Sequence, residues 1–183
     1  WMGGAVSVLG FWLHKLALGW LTWDLTHSPL WLGIIGFSAT FVTAVIAPFA
    51  GAVADRFGLR KTAFIALSCS SANAMAIAII TINGAMKVEL LVILTLVQGI
   101  TLSFDLPARQ ALVHHIVDRE DLSAAIALNT TTFHVGAFIG PALFGVVTSI
   151  WDIPAAFFIN SLSFFAFAIA LAAMKLEPRP PRK

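Results

Sequence analysis

Gly51-Ala-Val-Ala-Asp55-Arg56-Phe-Gly58-Leu-Arg60-Lys61 is a short charged segment, punctuated by glycine, between two apolar stretches. Residues 30–54 precede it and residues 62–82 follow it, and neither stretch carries a charged side chain. About 20 apolar residues in a helix cross the hydrocarbon of a bilayer, so each flank is long enough to span. The segment therefore reads as a polar turn between two membrane crossings.

Outward from this turn, the chain divides into six apolar runs at residues 1–23, 30–54, 62–82, 88–106, 122–150 and 153–174. Backbone polar groups in lipid must be paired within a helix or a closed barrel, and the runs lack the alternation of barrel strands. The predicted fold is an all-α membrane protein, with a six-helix transmembrane bundle over residues 1–176. The proline-rich end, Glu177-Pro-Arg-Pro-Pro-Arg-Lys183, cannot continue a helix and reads as the start of a cytoplasmic linker.

Composition agrees. Hydrophobic residues make up 59% of the 183 and charged residues only 11%, with a mean hydropathy of +0.91. A soluble domain carries about 25% charged residues, and a chain this short cannot hide six such runs from water. A net charge of +2, without basic residues interleaved with stacking aromatics, excludes a nucleic-acid surface. Cys69, the single cysteine, lies inside an apolar run and allows no intrachain disulfide. The chain starts at Trp1, already apolar and without a basic leader, which predicts a segment of a longer protein.

Charge sets the orientation. Arg56, Arg60, Lys61, Arg109, Arg119, Lys175, Arg179, Arg182 and Lys183 fall on the connections after helices 2, 4 and 6, whereas Lys87 alone falls on the alternate ones. Basic residues stay cytoplasmic, so both ends of this segment are expected in the cytoplasm of a bacterial-type inner membrane. Trp20, Trp23 and Trp31 gather at the first external turn and Trp151 at the third, as interfacial aromatics do. Residues 108–117 have the apolar spacing of an interfacial helix, and Asp118 is placed to cap the next one, with Glu120 and Asp121 in its first turn.

Three stretches carry a resemblance to a known family. Gly51, Asp55, Arg56, Gly58 and Arg60 match the loop between helices 2 and 3 of the major facilitator superfamily, Gly-x-x-x-Asp-Arg/Lys-x-Gly-Arg-Arg/Lys, with Leu59 where a basic residue is usual. Gly136-Ala-Phe-Ile-Gly140-Pro141-Ala-Leu-Phe-Gly145 is similar to the antiporter pattern of exporters in that superfamily, Phe144 replacing one glycine. Phe104-Asp-Leu-Pro-Ala-Arg-Gln-Ala-Leu-Val113, with Arg119-Glu-Asp-Leu and Ala127-Leu-Asn129, resembles the branch that holds siderophore exporters of the enterobactin type. The resemblance implies the amino-terminal half of a twelve-helix transporter, built as a 3+3 repeat, whose missing carboxy-terminal half closes a central cavity. It implies alternating access, usually driven by a proton gradient, and a contact of the 51–61 loop, Lys61 included, with the other half that governs conformational switching. The proton-linked Arg of many drug exporters would fall at Thr95, ahead of Gln98-Gly99.

Within the helices, Lys15 is the leading candidate for the substrate or proton pathway, because an ionisable group at mid-membrane costs about 2.5–3.5 kcal/mol on insertion scales. Facing a wet cavity removes that cost, and snorkelling to a headgroup is the alternative. Ser7, Phe11, Lys15, Gly19 and Thr22 recur at three- or four-residue spacing on helix 1. Helix 4 carries Leu91, Thr95, Gln98, Leu102, Asp105 and Arg109 on one face, and the family layout makes helices 1 and 4 line the cavity. Gln98, Asp105 and Arg109 are thus pathway candidates, the last two equally readable as a structural ion pair. Asn129 and His134 on helix 5 complete the set. Gly136, Gly140, Pro141 and Gly145 serve either close packing or bending.

His114 and His115 point to different helix faces and lack supporting ligands, so no metal or cofactor is expected. No phosphate-cradling loop and no acid pair or nucleophile with its base marks an enzyme. The expected activity is export of a small molecule, siderophore or drug-like, by a secondary transporter; a self-contained six-helix scaffold or channel acting as a homodimer is the rival.

Overall fold

The computed structural model describes residues 2–117 and 120–173, and all of its regular elements are helices: α1 Met2–Thr26, α2 Pro29–Phe57, α3 Leu59–Ile82, α4 Val88–Ile116 and α5 Leu122–Ala173. All five are long and apolar enough to cross a membrane. The 52-residue α5 is interrupted at Asp152, whose φ of 65° and ψ of 176° leave the helical region. Pro154, two residues on, has no N–H to give the Ile150 carbonyl, so the ladder opens there. We label the two parts α5a (122–151) and α5b (153–173). Asp118, Arg119 and the segment 174–183, with the cap and the linker expected there, lie outside the described residues.

The helices overrun the apolar runs, and this changes the turn that the sequence placed at 51–61. α2 continues through Asp55 and Arg56 to Phe57, and α3 begins at Leu59, so the connection is Gly58 alone. Gly58 has φ 94° and ψ 126°, serves both helix ends, and donates its N–H to the Ala54 carbonyl at 2.9 Å. A side chain rarely adopts that backbone, which is why glycine stands there. α4 likewise runs straight through Pro107 to Ile116, where a separate interfacial helix was expected over 108–117. Its 29 residues make about 43 Å at 1.5 Å each, more than the ~30 Å of hydrocarbon, so the expected separate segment is a continuation of the same helix, with Ala108 and Leu112 buried in the bundle.

α1 packs on both parts of α5, α3 packs on α5 and α4, and α2 packs chiefly on α4. Where α2 meets α4, Gly99 lets the backbones close: a Cβ there would lie 3.0 Å from the Ala39 carbonyl oxygen. Two apolar clusters fill the interior. One joins Leu13, Leu21, Ile77, Leu91, Phe144 and Phe157, and the other joins Ala63, Leu67, Ala108, Leu112, Phe164 and Leu171.

Between these clusters runs a seam of buried polar side chains. Asn73 Nδ2 donates to Gln98 Oε1 at 3.0 Å and to the Leu94 carbonyl at 3.1 Å. Ser70 Oγ donates to Thr101 Oγ1 at 2.8 Å. Ser71 and Ser161 exchange hydroxyl-to-carbonyl bonds at 2.9 and 2.8 Å. On the α1 side, Asn160 Nδ2 lies 3.2 Å from His14 Nδ1. Hydrogen bonds of this kind between membrane helices contribute about 0.6–2 kcal/mol each.

Two substitutions test this packing. A Cβ on Gly10 would sit 2.1 Å from Ser163 Oγ and 2.8 Å from Asn160 Oδ1, so Gly10→Ala is expected to destabilise by about 1–3 kcal/mol in thermal unfolding in detergent. Gly19, whose Cβ would meet nothing within 4 Å, is the control, and Gly19→Ala should lose no stability. Gly58→Ala forces a side chain into the positive-φ corner and should cost about 1–3 kcal/mol by the same measurement.

Candidate functional site

α1 divides its residues between two opposed environments. Ser7, Gly10, His14, Ala17 and Leu21, at helical spacing, are buried against the rest of the bundle. Lys15, one residue beyond His14 and close to the middle of the helix, is exposed. The stripe expected from the sequence, Ser7 to Thr22 through Lys15, is therefore split: Ser7 and Thr22 are 1% and 0% exposed, while Lys15 faces outward. Measured around the helix axis from Ser7, spacings of four carry Phe11, Lys15 and Gly19 to about 40°, 80° and 120°, away from the buried face, and the final spacing of three brings Thr22 back to about 60°.

Lys15 Nζ stands 5.0 Å from the centre of the Trp12 ring. Trp12 is fixed in turn by α5a, its Nε1 donating to the Phe133 carbonyl at 3.2 Å. Gly136 and Gly140 form the notch that admits it. A Cβ on Gly136 would lie 2.7 Å from Val8 Cγ1 and 3.0 Å from Trp12 Cδ1, and one on Gly140 would lie 2.9 Å from Trp12 Cβ. These two glycines thus set the approach of α1 to α5a. Pro141 and Gly145 are exposed, and a Cβ on Gly145 would meet nothing within 4 Å.

Aromatic rings extend the surface around the lysine. Phe133 lies 5.3 Å from Trp12 and 6.2 Å from Phe11, ring centre to ring centre, and His134 lies 6.0 Å from Phe133. His134 is exposed and borders a shallow depression with Thr130, Thr131, Val135, Phe138 and Ile139. Asn129 is exposed one turn earlier. Lys15 is thus joined to α5a through Trp12 and Phe133, whereas His134, next to Phe133, borders a depression lined by α5a residues, and Asn129 lies one turn before Phe133.

The polar face of α4 turns the other way. Thr95, Gln98 and Asp105 are buried inside the bundle, 1%, 5% and 1% exposed. Gln98 is held by Asn73 of α3. Asp105 pairs with Arg109 one turn on, and the Arg109 guanidinium lies 5.2 Å over the Phe167 ring, joining α4 to α5b. This stripe, expected to line a cavity, is buried within the bundle against α3 and α5b. Polar side chains in lipid gather where they find partners, and here α3 and Arg109 supply them.

At the α2–α3 corner, Asp55, Arg56 and Lys61 are exposed and Gly51 is half-buried. Arg60 reaches across to the end of α5b, where Nε donates to the Leu171 carbonyl at 2.9 Å and the guanidinium also bonds the Ala172 carbonyl. A cation on the last carbonyls of a helix complements its dipole. Arg60 is thereby committed to α5b. Among the described residues no side-chain hydrogen bond or ion pair reaches Asp55.

Sequence reasoning missed His14 and Asn160. His14 lies edge-on to Phe157, 5.1 Å between ring centres, and Ser163 Oγ donates to the Asn160 carbonyl at 2.8 Å. Ser7 Oγ and Asn160 Oδ1 are buried without a partner among the described residues. The signal was present in the small and polar spacing of Ser7, Gly10 and His14, one residue out of register with the stripe that was read.

Comparison with known proteins follows the same lines. The family model for transmembrane secretion effectors, MFS_3, matches residues 1–182. The staphyloferrin A transporter of Staphylococcus aureus is 24% identical over 158 residues, 86% of this chain and 40% of that protein. The uncharacterized MFS-type transporter YfiS of Bacillus subtilis is 28% identical over 167 residues, 91% of this chain and 39% of its own length. The multidrug resistance protein MdtG of Proteus mirabilis is 33% identical over 144 residues, 78% of this chain and 34% of its own. The chain thus spans well under half the length of these relatives, whose names describe transport or drug resistance rather than an enzymatic reaction. Five apolar membrane-length helices, the Gly58 corner and a family match along nearly the whole sequence lead to one conclusion: the chain belongs to the major facilitator superfamily of membrane transporters, in its transmembrane secretion effector family.

Proposed function

We propose that this chain is the amino-terminal bundle of a longer secondary transporter that exports a small organic molecule across a bacterial inner membrane. In this reading α5a and α5b are separate crossings, so the bundle has six spans in a 3+3 repeat with both ends cytoplasmic. A second bundle faces it across a cavity that opens to each side in turn, and a proton gradient drives the cycle.

One observation carries the reading. Lys15 is exposed near the middle of a 25-residue apolar helix, and eleven residues, about 16 Å, separate it from the end of α1 at Thr26. A lysine stem does not span that distance. An ammonium at this depth needs water or a counter-charge, and a cavity beneath a second bundle supplies either. We assign Lys15 on α1, together with His134 and Asn129 on α5a, to the substrate and proton pathway. Gln98, Asp105 and Arg109 then act from inside the bundle, holding α4 rather than meeting the substrate first.

Asp55 supports the switching role of the α2–α3 corner. It occupies the last turn of α2, where the helix dipole disfavours a carboxylate, and it has no partner among the described residues. A group held at such a cost and left free suits a contact with the opposing bundle. Gly58 keeps the corner tight, and Arg56 and Lys61 flank it.

Two measurements check this proposal. With Cys69 replaced by serine, single cysteines at Lys61 and Lys87 should label from opposite sides, Lys61 from the cytoplasm; labelling of both from one face would overturn the topology. In cells making the complete protein, Asp55→Asn should slow energised efflux about tenfold, the effect of ~1.4 kcal/mol removed from one side of the conformational equilibrium. Unchanged efflux would remove the switching role from this corner.

A further inference from the structure

We infer that the Lys15 rim selects organic anions, specifically carboxylate-bearing molecules with a planar apolar body. The inference rests on the transport reading for its setting, and on the charges of the described residues for its content. Lys15 is the cation of this rim, and no acid of the described chain is placed to neutralise it. Asp24, Asp55, Glu89, Glu120, Asp121 and Asp152 lie at helix ends or in connections, and Asp105 is buried in its pair with Arg109.

The ring of Trp12 under Lys15 offsets only part of the cost of dehydrating an ammonium. When a cavity closes around the rim and water leaves, the remaining charge calls for an anion. A carboxylate meets the ammonium with a short charge-assisted hydrogen bond. A cationic ligand would meet repulsion at the same place, strengthened by the low dielectric of the closed site. Phe11 and Phe133, whose rings lie 6.2 Å apart and are tilted 36° to each other beside Trp12, offer apolar ring surface against which the body of the ligand rests. Trp12 is held by its bond to the Phe133 carbonyl and by the Gly136–Gly140 notch, so the platform under the lysine is fixed before a ligand arrives.

The test uses the complete transporter purified in detergent and three probes of one shape: 1-naphthoate, 1-naphthamide and 1-naphthylmethylammonium. Binding is measured by calorimetry and by quenching of tryptophan fluorescence. Naphthoate should bind about tenfold more tightly than the amide, and the ammonium probe should not compete. Lys15→Gln should erase the preference for acid over amide, and Lys15→Arg should keep it. An undiminished preference in Lys15→Gln overturns the inference, because the anion would then be read elsewhere. Tightest binding of the ammonium probe, or no binding of any probe, overturns it as well. Efflux of naphthoate from energised cells is scored separately. Selective, Lys15-dependent binding without efflux would sink the transport reading and uphold the site, whereas efflux of ammonium compounds indifferent to Lys15→Gln would do the reverse.

Discussion

Apolar side chains gain little by exchanging lipid for protein, so the cohesion of this bundle depends on polar groups that find partners away from water and on backbones that approach closely. Both devices are concentrated at mid-height. The Asn73–Gln98, Ser70–Thr101 and Ser71–Ser161 bonds tie α3 to α4 and α5b, and His14–Asn160 ties α1 to α5b. Gly10, Gly99, Gly136 and Gly140 let the helices come near enough for such bonds and for the contacts around them. The large apolar side chains are turned outward as often as inward: Phe37, Phe49 and Phe138 are among the most exposed residues of the chain. In a soluble protein that pattern would be inverted.

The same constraint separates a buried contact from an exposed charge on a single helix. His14 and Lys15 are consecutive, yet the 100° step between them sends one into the seam and the other onto an open rim. His14 has a partner and is spent on holding α1 against α5b. Lys15 has an aromatic ring beneath it and no carboxylate of the described chain, which leaves its charge available.

Much of this was legible in the sequence, and the remainder fails for a common reason. Length and hydropathy marked apolar helices of membrane length, five of which the structure describes, and the spacing of Asp55 and the glycines marked the corner. Helix ends were misjudged because apolar runs end where hydrocarbon ends, whereas a helix continues into the headgroup region through residues such as Arg56, Arg60 and Gln110. Direction was harder still. In water the apolar face of a helix points inward, so periodicity gives orientation; in lipid both faces are apolar and a polar stripe has to be oriented by its partners. Gln98 and Asp105 were recognisable as exceptional residues, but Asn73 and Arg109 decide which way they turn. Asn160 was concealed within a run of phenylalanines and alanines, and only the contact with His14 gives it meaning.

Gly58 also bears on mechanics. A connection of one residue has no slack, so α2 and α3 behave as two arms of a crank, and Arg60 on the second arm grips the end of α5b. A push delivered to the foot of α2 would be passed along this linkage to the far side of the bundle instead of being absorbed in a compliant loop.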